Sequence, residues 1–343
     1  MGYDPGARRR LGSAPLEVTC LGLGCGPLGG FRRTIPEDEA FDIIGAAYDA
    51  GARLFDTSPF YGYGRSELRL GHVLRQLPRE SFAVSTKVGR WLTPRRPGRS
   101  YPGLRAGGLD FVPTYDLSYD GVMRAIEQSH CRLGLAAIDV LLIHDIDVYT
   151  HGRERFETYY RGAIEGACPA LDELRRAGVI KAVGIGVNEV EPCLRFARDA
   201  DLDCILLAGR YTLLEQGALD GLLPLCVDRG IGVVLGGPFN SGILAQGAIE
   251  GATYNSQPPP PAILERVRAI DAVCRRHGVA LAAAALQFPL AHPAISSVIP
   301  GALSRTEVLD NARALRVEIP AAFWTELKAM GLLHPAAPVP GPA

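Results

Sequence analysis

Short apolar runs alternate with longer amphipathic segments along almost the whole chain. The runs are rich in valine, isoleucine and leucine and have the length of buried strands, whereas the segments between them repeat apolar residues at the i, i+3, i+4 spacing of helices. Regular alternation of the two is typical of a parallel sheet with helical crossovers. The predicted strands number eight and cover residues 16–24, 53–58, 82–89, 138–146, 180–187, 203–210, 231–237 and 295–301.

Several of the intervening segments also carry recognisable helix ends. Pro36 and the acidic residues after it open one predicted helix, and Gly51 closes it. The segments 121–134 and 262–278 have the same apolar spacing and the same terminal glycine. Eight strands, each followed by a helix, in more than the roughly 250 residues typical of that fold predict a (β/α)8 TIM barrel with long loops.

The extra length lies in three segments that follow predicted strands, at residues 90–117, 147–155 and 238–261. All three belong to the C-terminal face of a barrel, where barrel enzymes have their active sites. We expect residues 1–343 to form a single barrel domain, with frayed ends at about 1–14 and 332–343.

A glycine-rich segment, GCGPLG at residues 24–29, also satisfies the G-x-G-x-x-G pattern of a dinucleotide-binding Rossmann domain. In that fold a helix begins at the third glycine and directs its N-terminus at the pyrophosphate. Here the next helix begins about seven residues later, near Pro36, and the residue 20 positions beyond Gly29 is Asp49, inside a helix. The context therefore favours the barrel.

Composition and charge restrict the partners. With 47% apolar residues, 21% charged residues and a net charge of -1, the chain has the composition of a globular protein and no field that would attract nucleic acid or an anionic membrane. No stretch approaches the length of an uncharged transmembrane span, and the residues after the three arginines at 8–10 lack the apolar core of an export signal. Eight cysteines without a C-x-x-C pair indicate a reducing compartment. We expect a cytoplasmic protein with a small-molecule partner.

Polar residues end three of the predicted strands: Asp56, Lys87 and His144, with Tyr61 shortly after Asp56. Taken singly, the three strand-end residues have ordinary structural explanations: Asp56 as a turn or cap residue, Lys87 as a solvated lysine and His144 as a buried structural histidine. A barrel, however, gathers the C-terminal ends of its strands on one face. The four side chains therefore form one candidate site.

These segments resemble the aldo-keto reductase family. FDTSPFYGYGRSE (55–67) is similar to the family motif with the catalytic aspartate and tyrosine, STKVG (85–89) to its lysine strand and LLIHDID (141–147) to its histidine strand. The likeness extends over nearly the whole chain and implies a barrel that binds a nicotinamide cofactor at the strand C-termini. It also implies a catalytic tetrad, which here is Asp56, Tyr61, Lys87 and His144.

The four residue types suit hydride transfer, which requires a proton to pass to or from the substrate oxygen. A phenol with a pKa near 10 is a poor base at neutral pH. Lys87 beside Tyr61 is expected to favour the phenolate and lower its pKa, while Asp56 pairs with the ammonium and fixes its position. His144 is then expected to hydrogen-bond the reacting oxygen and orient the substrate.

The resemblance also implies cofactor contacts. In GIGVNE (184–189), Asn188 and Glu189 occupy the positions of the family's serine and asparagine on the nicotinamide carboxamide, and Glu189 can only accept when ionised. In LGGPFNSGIL (235–244), the aromatic residue that stacks on nicotinamide in the family is replaced by glycine. The residues carried over from these two segments are Asn188, Glu189, Gly236, Pro238, Asn240 and Gly242.

The segment IPGALSRTEVLDN (299–311) is similar to the stretch where NADPH-dependent members commonly hold the 2'-phosphate with a lysine and an arginine. This chain has Gly301 and Glu307 at those positions. A carboxylate repels a phosphate but accepts a hydrogen bond from a free ribose hydroxyl, so we expect a preference for NAD. Arg305 can turn toward a 2'-phosphate, which keeps NADP as a second cofactor, and Asn311 is expected on the adenine.

Within the family, four segments resemble the branch that contains D-threo-aldose 1-dehydrogenases, also called L-fucose or galactose dehydrogenases. They are residues 141–152, 186–192, 206–216 and 236–245. These enzymes oxidise the anomeric hydroxyl of an aldose to an aldonolactone. Pyridoxal 4-dehydrogenase, which oxidises another cyclic hemiacetal, is the nearest alternative, and a general aldehyde or ketone reductase is a further one. Residues that either line the substrate pocket or simply pack a loop are Trp91, Tyr149 and Phe239.

Two other functional classes, a metal-dependent hydrolase and a barrel that binds nicotinamide without catalysis, fit the sequence less well. HDIDVYTH (144–151) offers four metal-ligand side chains, but strand alternation is expected to direct His144 and Asp145 to opposite sides, so we predict no metal site. A barrel that binds nicotinamide only as a sensor or subunit is expected to have lost the tetrad. All four tetrad positions are kept, and the sequence favours an enzyme.

Overall fold

The centre of the fold is a ring of eight short parallel strands. The computed structural model describes residues 2–30, 33–101, 104–105 and 107–341. Each strand pairs in parallel with the next along the chain, and a parallel bridge between Leu21 and Val298 joins the last strand to the first. This confirms the (β/α)8 barrel. We number the barrel strands β1 (Leu23–Gly24), β2 (Leu54–Asp56), β3 (Ala83–Val88), β4 (Val140–His144), β5 (Ala182–Val187), β6 (Cys204–Ala208), β7 (Gly232–Gly236) and β8 (Ile295–Ile299).

Helices cover the outside of the ring. The three helices whose ends the sequence marked occupy Glu37–Asp49, Tyr119–Leu133 and Pro261–His277, and glycines with positive φ follow the second and third. The remaining α-helices are Arg65–Leu74, Val148–His151, Arg153–Gly162, Cys168–Arg176, Val190–Asp199, Leu222–Arg229, Ile243–Gln246, Leu281–Leu290, Arg305–Arg316 and Ala321–Ala329, with a π-helical turn at Ala163–Ala167. In the described part of the chain, none of the helices is both long and apolar enough to cross a bilayer.

The N-terminal segment closes the barrel at the N-terminal ends of its strands. Residues Arg8–Arg10 pair antiparallel with Glu17–Thr19, and this hairpin buries Leu11, Ala14 and Val18 against inward-facing side chains of the strands. The expectation that residues 1–14 fray is therefore wrong for residues 2–14. The apolar residues of this segment find their place only in the assembled barrel, because local sequence carries no sign of the opening that they fill.

The C-terminal tail is also packed onto the protein. Leu333 and Ala337 are buried, and the backbone amide of His334 donates to Oε1 of Gln216 at 2.6 Å. The expectation of fraying at 332–343 is thus wrong for residues 332–341. Residues 342 and 343 lie outside the described residues.

The long segments after the strands contain structure of their own. In the segment 90–117, strand Arg90–Pro94 pairs antiparallel with Phe111–Tyr115 and forms what we call the β3 hairpin. The glycine-rich segment 24–29 ends in a short 3-10 helix rather than in the first turn of an α-helix. A Cβ atom on Gly29 would lie 2.6 Å from the backbone of Tyr61 and Gly62. Gly29 therefore permits the close approach of this segment to the turn that carries Tyr61.

Candidate active site

Strand register brings Asp56 and Lys87 together. Asp56 ends β2 opposite Ser85 in β3, and Lys87 lies two residues further on the same face. Nζ of Lys87 donates to Oδ1 of Asp56 and to the carbonyl oxygen of Thr57, each at 2.7 Å. Ser85 Oγ donates to the other carboxylate oxygen of Asp56 at 2.8 Å. Both charges are 2% exposed, so they form a fully desolvated ion pair.

Tyr61 and His144 complete the group of four. Nζ of Lys87 lies 4.9 Å from the centre of the Tyr61 ring, and the rings of Tyr61 and His144 meet edge to face at 5.9 Å. The Lys87 chain passes over Gly186 of β5, where a Cβ atom would come within 3.4 Å of its Cε atom. The structure thus brings all four predicted tetrad residues together at the C-terminal ends of β2, β3 and β4.

The electrostatic balance of this group differs from the expectation for the phenol. Removal of water raises the pKa of Tyr61 to about 12, although Lys87 acts in the opposite direction. Burial also lowers the pKa of Lys87, but Asp56 and Tyr61 outweigh it and hold that pKa above its ordinary value. In the ligand-free protein the phenol therefore keeps its proton at neutral pH and Lys87 keeps its charge.

His144 is a neutral imidazole in these surroundings. It is 5% exposed, and burial together with the cations Arg90 and Lys87 puts its pKa well below the ordinary value. Its Nδ1 atom lies 2.9 Å from a guanidinium nitrogen of Arg90 and 3.1 Å from Oγ of Ser58. A neutral imidazole has one donor and one acceptor nitrogen and can face a substrate oxygen without carrying charge.

Arg90 and Asp145 belong to the site although the sequence did not mark them. Asp145 follows the last residue of β4 with φ of +54°, so strand alternation no longer applies to it. Its carboxylate accepts from Arg90 at 2.8 Å and lies 3.4 Å from Nε2 of His144. The expectation that His144 and Asp145 point to opposite sides is therefore wrong, because the left-handed backbone turns both side chains toward Arg90.

Asn188 is held at the end of β5 by two carboxylates. Its Nδ2 atom donates to Asp147 at 3.0 Å and to Asp145 at 3.2 Å, and its backbone amide donates to Asp147 at 2.9 Å. Glu189 instead accepts from the backbone amides of Val148 and Tyr149, at 2.7 and 3.0 Å. Glu189 thus satisfies the first amides of helix Val148–His151, a role that the sequence did not predict.

The segment after β7 is fixed by Asn240. This residue is 3% exposed and has φ of +45°. Its Oδ1 atom accepts from Thr212 at 2.6 Å and its Nδ2 atom donates to the carbonyl oxygen of Gly209 at 3.0 Å. Both polar atoms of the side chain therefore tie this segment to the residues after β6. The other predicted residues here are Gly236 at the end of β7, buried Pro238, and Gly242 with φ of +109°.

The four predicted adenosine-side residues lie after β8. Glu307 accepts from the backbone amide of Leu303 at 2.8 Å, while its own amide donates to Ser304 at 3.2 Å, so it takes part in the N-terminal cap of helix Arg305–Arg316. Arg305 pairs with Asp42 at 2.7 Å on the surface. A Cβ atom on Gly301 would lie 2.6 Å from the Pro27 ring. Asn311 is half-buried on the same helix.

The three predicted substrate contacts have different surroundings. Trp91 follows Arg90 in the β3 hairpin, so its side chain lies on the opposite face, where the Arg124 guanidinium covers it at 4.5 Å. This favours the loop-packing interpretation of Trp91. Tyr149 is 65% exposed, and Phe239 packs partly against the core. Tyr211, an aromatic residue after β6 and a further candidate for stacking on the nicotinamide, is fully buried beside Phe288.

Comparison with known proteins identifies the family of the chain. Residues 20–331 match the Aldo/keto reductase family. The chain is 43% identical to the pyridoxal 4-dehydrogenase of Microbacterium luteolum, over 95% of this chain and 98% of that protein. It is 41% identical to a D-threo-aldose 1-dehydrogenase of Pseudomonas, over 92% and 94%. An aldo-keto reductase of Bacillus halodurans, solved in its holo form, shares the fold with a TM-score of 0.74 at 23% identity, over 96% and 97%. The chain is therefore an oxidoreductase of the aldo/keto reductase family.

Proposed function

We propose that the protein oxidises the anomeric hydroxyl of an aldose of the L-fucose or D-threo-aldose type to the aldonolactone, with NAD as its preferred cofactor. The observation that carries the proposal is the buried Asp56–Lys87 pair beside Tyr61, with neutral His144 at the edge of the phenol. The relative named D-threo-aldose 1-dehydrogenase, 41% identical over almost the full length of both chains, supports the substrate class.

Members of the family work with NAD(H) or NADP(H), and a bound oxidised nicotinamide supplies the hydride acceptor. The residues at the strand ends fit such a group. Oδ1 of Asn188 accepts no hydrogen bond from the described residues, while its Nδ2 atom is held by Asp145 and Asp147. Asn188 therefore presents a fixed acceptor for a carboxamide NH2 group.

Tyr61 is the proposed general base. In oxidation the anomeric hydroxyl must lose its proton as its carbon loses hydride, and a hemiacetal hydroxyl is more acidic than an ordinary alcohol. Burial raises the pKa of the phenol, and the charge of Lys87 lowers it by a smaller amount. Lys87 therefore stabilises the phenolate that is needed to accept the proton from the substrate hydroxyl. Asp56 keeps the ammonium in place through the 2.7 Å contact. In the reverse direction the protonated phenol is the acid.

His144 is proposed to hold the sugar oxygen against Tyr61. Its neutral ring lies edge to face with the phenol at 5.9 Å, so both can reach the same substrate atom. Charge develops on that oxygen as the proton leaves, and a hydrogen bond from a buried donor is strong where water is excluded. Tyr149 and Phe239 remain proposed substrate contacts at the same face.

The proposed preference for NAD rests on Gly301 and Glu307. A lysine at position 301 would have to displace Pro27, because a Cβ atom there comes within 2.6 Å of the ring. The Glu307 carboxylate brings negative charge to the region where a 2'-phosphate is expected. Arg305 is engaged with Asp42 across the surface.

Pyridoxal is the second candidate substrate. The relative named pyridoxal 4-dehydrogenase is 43% identical over 95% of this chain, a likeness as extensive as that to the aldose enzyme. Pyridoxal closes to a cyclic hemiacetal, so the same proton transfer to Tyr61 applies to it. The two candidates therefore differ in substrate and share the mechanism.

The test follows the absorbance of reduced nicotinamide with purified protein, NAD+ or NADP+, and L-fucose, D-arabinose, pyridoxal or a simple secondary alcohol. We expect activity with L-fucose and NAD+, formation of the lactone, and loss of activity in Tyr61→Phe. Activity on pyridoxal alone would keep the mechanism and replace the substrate. Inactivity on every alcohol, combined with NADPH-dependent reduction of aldehydes, would refute the proposed dehydrogenase.

A further inference from the structure

Arg90 is a second buried cation beside the tetrad. Its side chain is 5% exposed, and its guanidinium lies between two aromatic rings, 4.4 Å from the centre of Phe60 and 4.1 Å from that of Tyr115. One terminal nitrogen donates to the Tyr115 hydroxyl and to Asp145, and the other lies 2.9 Å from Nδ1 of His144. These contacts on both faces and both terminal nitrogens fix the orientation of the planar guanidinium.

The contact with His144 determines which ring nitrogen carries the proton. A guanidinium has only donors, so Nδ1 of His144 must be the acceptor in the 2.9 Å contact. Ser58 lies 3.1 Å from the same nitrogen and can also donate to it. A neutral imidazole carries a single proton, which then belongs on Nε2.

We propose that Arg90 is a positioning residue that fixes His144 in the Nε2–H tautomer and so presents a hydrogen-bond donor to the reacting oxygen. The inference rests on the proposed function only in its final step, the contact between His144 and the substrate. Without Arg90, Nδ1 loses the one neighbour that can only donate, and the hydroxyl of Ser58, 3.1 Å away, can accept a proton from Nδ1 as well as donate to it. His144 would then turn an acceptor toward an oxygen that becomes negative during oxidation.

The charges around His144 act in the same direction. The β3 hairpin contributes Arg90, β3 contributes Lys87, the turn after β2 contributes Tyr61, and the end of β4 contributes Asp145. Burial, and after it the charges of Arg90 and Lys87, lower the pKa of His144, which keeps the ring neutral. Removal of Arg90 is therefore expected to raise that pKa toward its ordinary value as well as to release the tautomer.

Arg90 is also linked, through Asp145, to the residue proposed to contact the cofactor. Asp145 accepts from Arg90 through one carboxylate oxygen and from Asn188, at 3.2 Å, through the other. Arg90 thus orders the residue proposed to hold the substrate and, through Asp145, the residue proposed to hold the carboxamide. A lysine lacks the planar fork that makes these contacts together.

The decisive experiment is long-range 1H–15N NMR of the full chain with 15N-labelled histidine, in which His144 is assigned by its loss in His144→Gln. We expect Nε2 of His144 to be protonated and Nδ1 to give an unprotonated signal in the wild type, and we expect tautomer exchange in Arg90→Met. The matched control Arg95→Met removes an exposed cation of the same hairpin, paired with Asp110, and is expected to leave the signals unchanged.

Kinetics supply a second readout. In Arg90→Met we expect kcat/KM for the hemiacetal to fall by about 100-fold, the size typical of lost acid–base positioning, and the acidic limb of its pH profile to move upward. Nδ1 protonation in the wild type would overturn the inference whatever the activity, and so would an unaltered tautomer in a folded Arg90 variant. Because the wild-type spectrum needs no substrate, failure of the proposed function leaves this test intact.

Discussion

The Nζ atom of Lys87 and the Oδ1 atom of Asp56 lie 2.7 Å apart where neither side chain is more than 3% exposed. Loss of one partner leaves the other as an unpaired buried charge, which costs more than the pair contributes. For Lys87→Met we expect the free energy of unfolding to fall by about 3–5 kcal/mol at neutral pH. Urea unfolding followed by fluorescence measures the loss.

The double variant Asp56→Leu/Lys87→Met is the matched comparison. It removes both charges, so most of the stability is expected to return although activity does not. In the single variant the isolated Asp56 carboxyl has a raised pKa in the folded state, and its penalty is present above the unfolded pKa of about 4 and fades as the pH falls toward it. A double variant as unstable as the single one would contradict this account.

Tyr61→Phe tests the proton transfer itself. The substitution keeps the ring against His144 and removes only the hydroxyl, so we expect kcat/KM for the hemiacetal to fall by about 100- to 10,000-fold. The Kd for NAD+, measured by fluorescence quenching, is expected to stay within about threefold of the wild type because the cofactor contacts are unchanged. Tyr119→Phe, at an exposed tyrosine that contacts Glu173, serves as the control and should retain full activity.

The pH dependence of oxidation follows from the same phenol. With the pKa of Tyr61 raised to about 12, the phenolate fraction grows with every step of pH from 6 to 9. We expect kcat/KM for oxidation to rise through this whole range, approaching tenfold per pH unit, while reduction by the protonated phenol stays nearly flat. A plateau of oxidation near pH 7, unchanged in Lys87→Arg, would assign the base to another group.

The sequence was sufficient to predict the barrel and the grouping of four polar side chains on one of its faces, since both depend on local signals. Alternating apolar runs mark the strands, and polar residues at strand ends mark Asp56, Lys87 and His144. The same local reasoning failed where backbone conformation departs from the strand. The backbone of Asp145 has φ of +54°, and the identity of the residue alone does not predict this conformation. The side chain of Asp145 therefore points toward Arg90, and not away from it as strand alternation predicts.

Arg90 was missed for a different reason. It begins a segment rich in proline, glycine and arginine, where a charged residue is ordinarily solvated. Its burial depends on Phe60 and Tyr115, which are 30 and 25 residues away along the chain and meet it only in the folded protein. Glu307, in contrast, could have been recognised as part of a helix cap, because Ser304 precedes it by three residues.

Glu307→Gln tests the cofactor preference without removing the cap. Glutamine keeps an acceptor for the Leu303 amide, which Glu307 binds at 2.8 Å, and removes only the charge. One charge facing a phosphate across several ångströms of water is worth about 1 kcal/mol, so we expect kcat/KM for NADP+ to rise about 3- to 10-fold relative to NAD+. Asp310→Asn, which removes a charge from the same helix, should not change the ratio.

Two substitutions of Asn240 measure separately what its hydrogen bonds and its left-handed backbone contribute to stability. Both polar atoms of its buried side chain are bonded, and its φ of +45° disfavours residues with a Cβ atom. Asn240→Gly loses the two hydrogen bonds, so we expect the free energy of unfolding to fall by about 2 kcal/mol. Asn240→Ala also places a Cβ atom on a left-handed backbone, so we expect a further loss of about 1 kcal/mol. Thermal unfolding measures both, and an alanine variant as stable as the glycine variant would show that the segment relaxes out of this conformation.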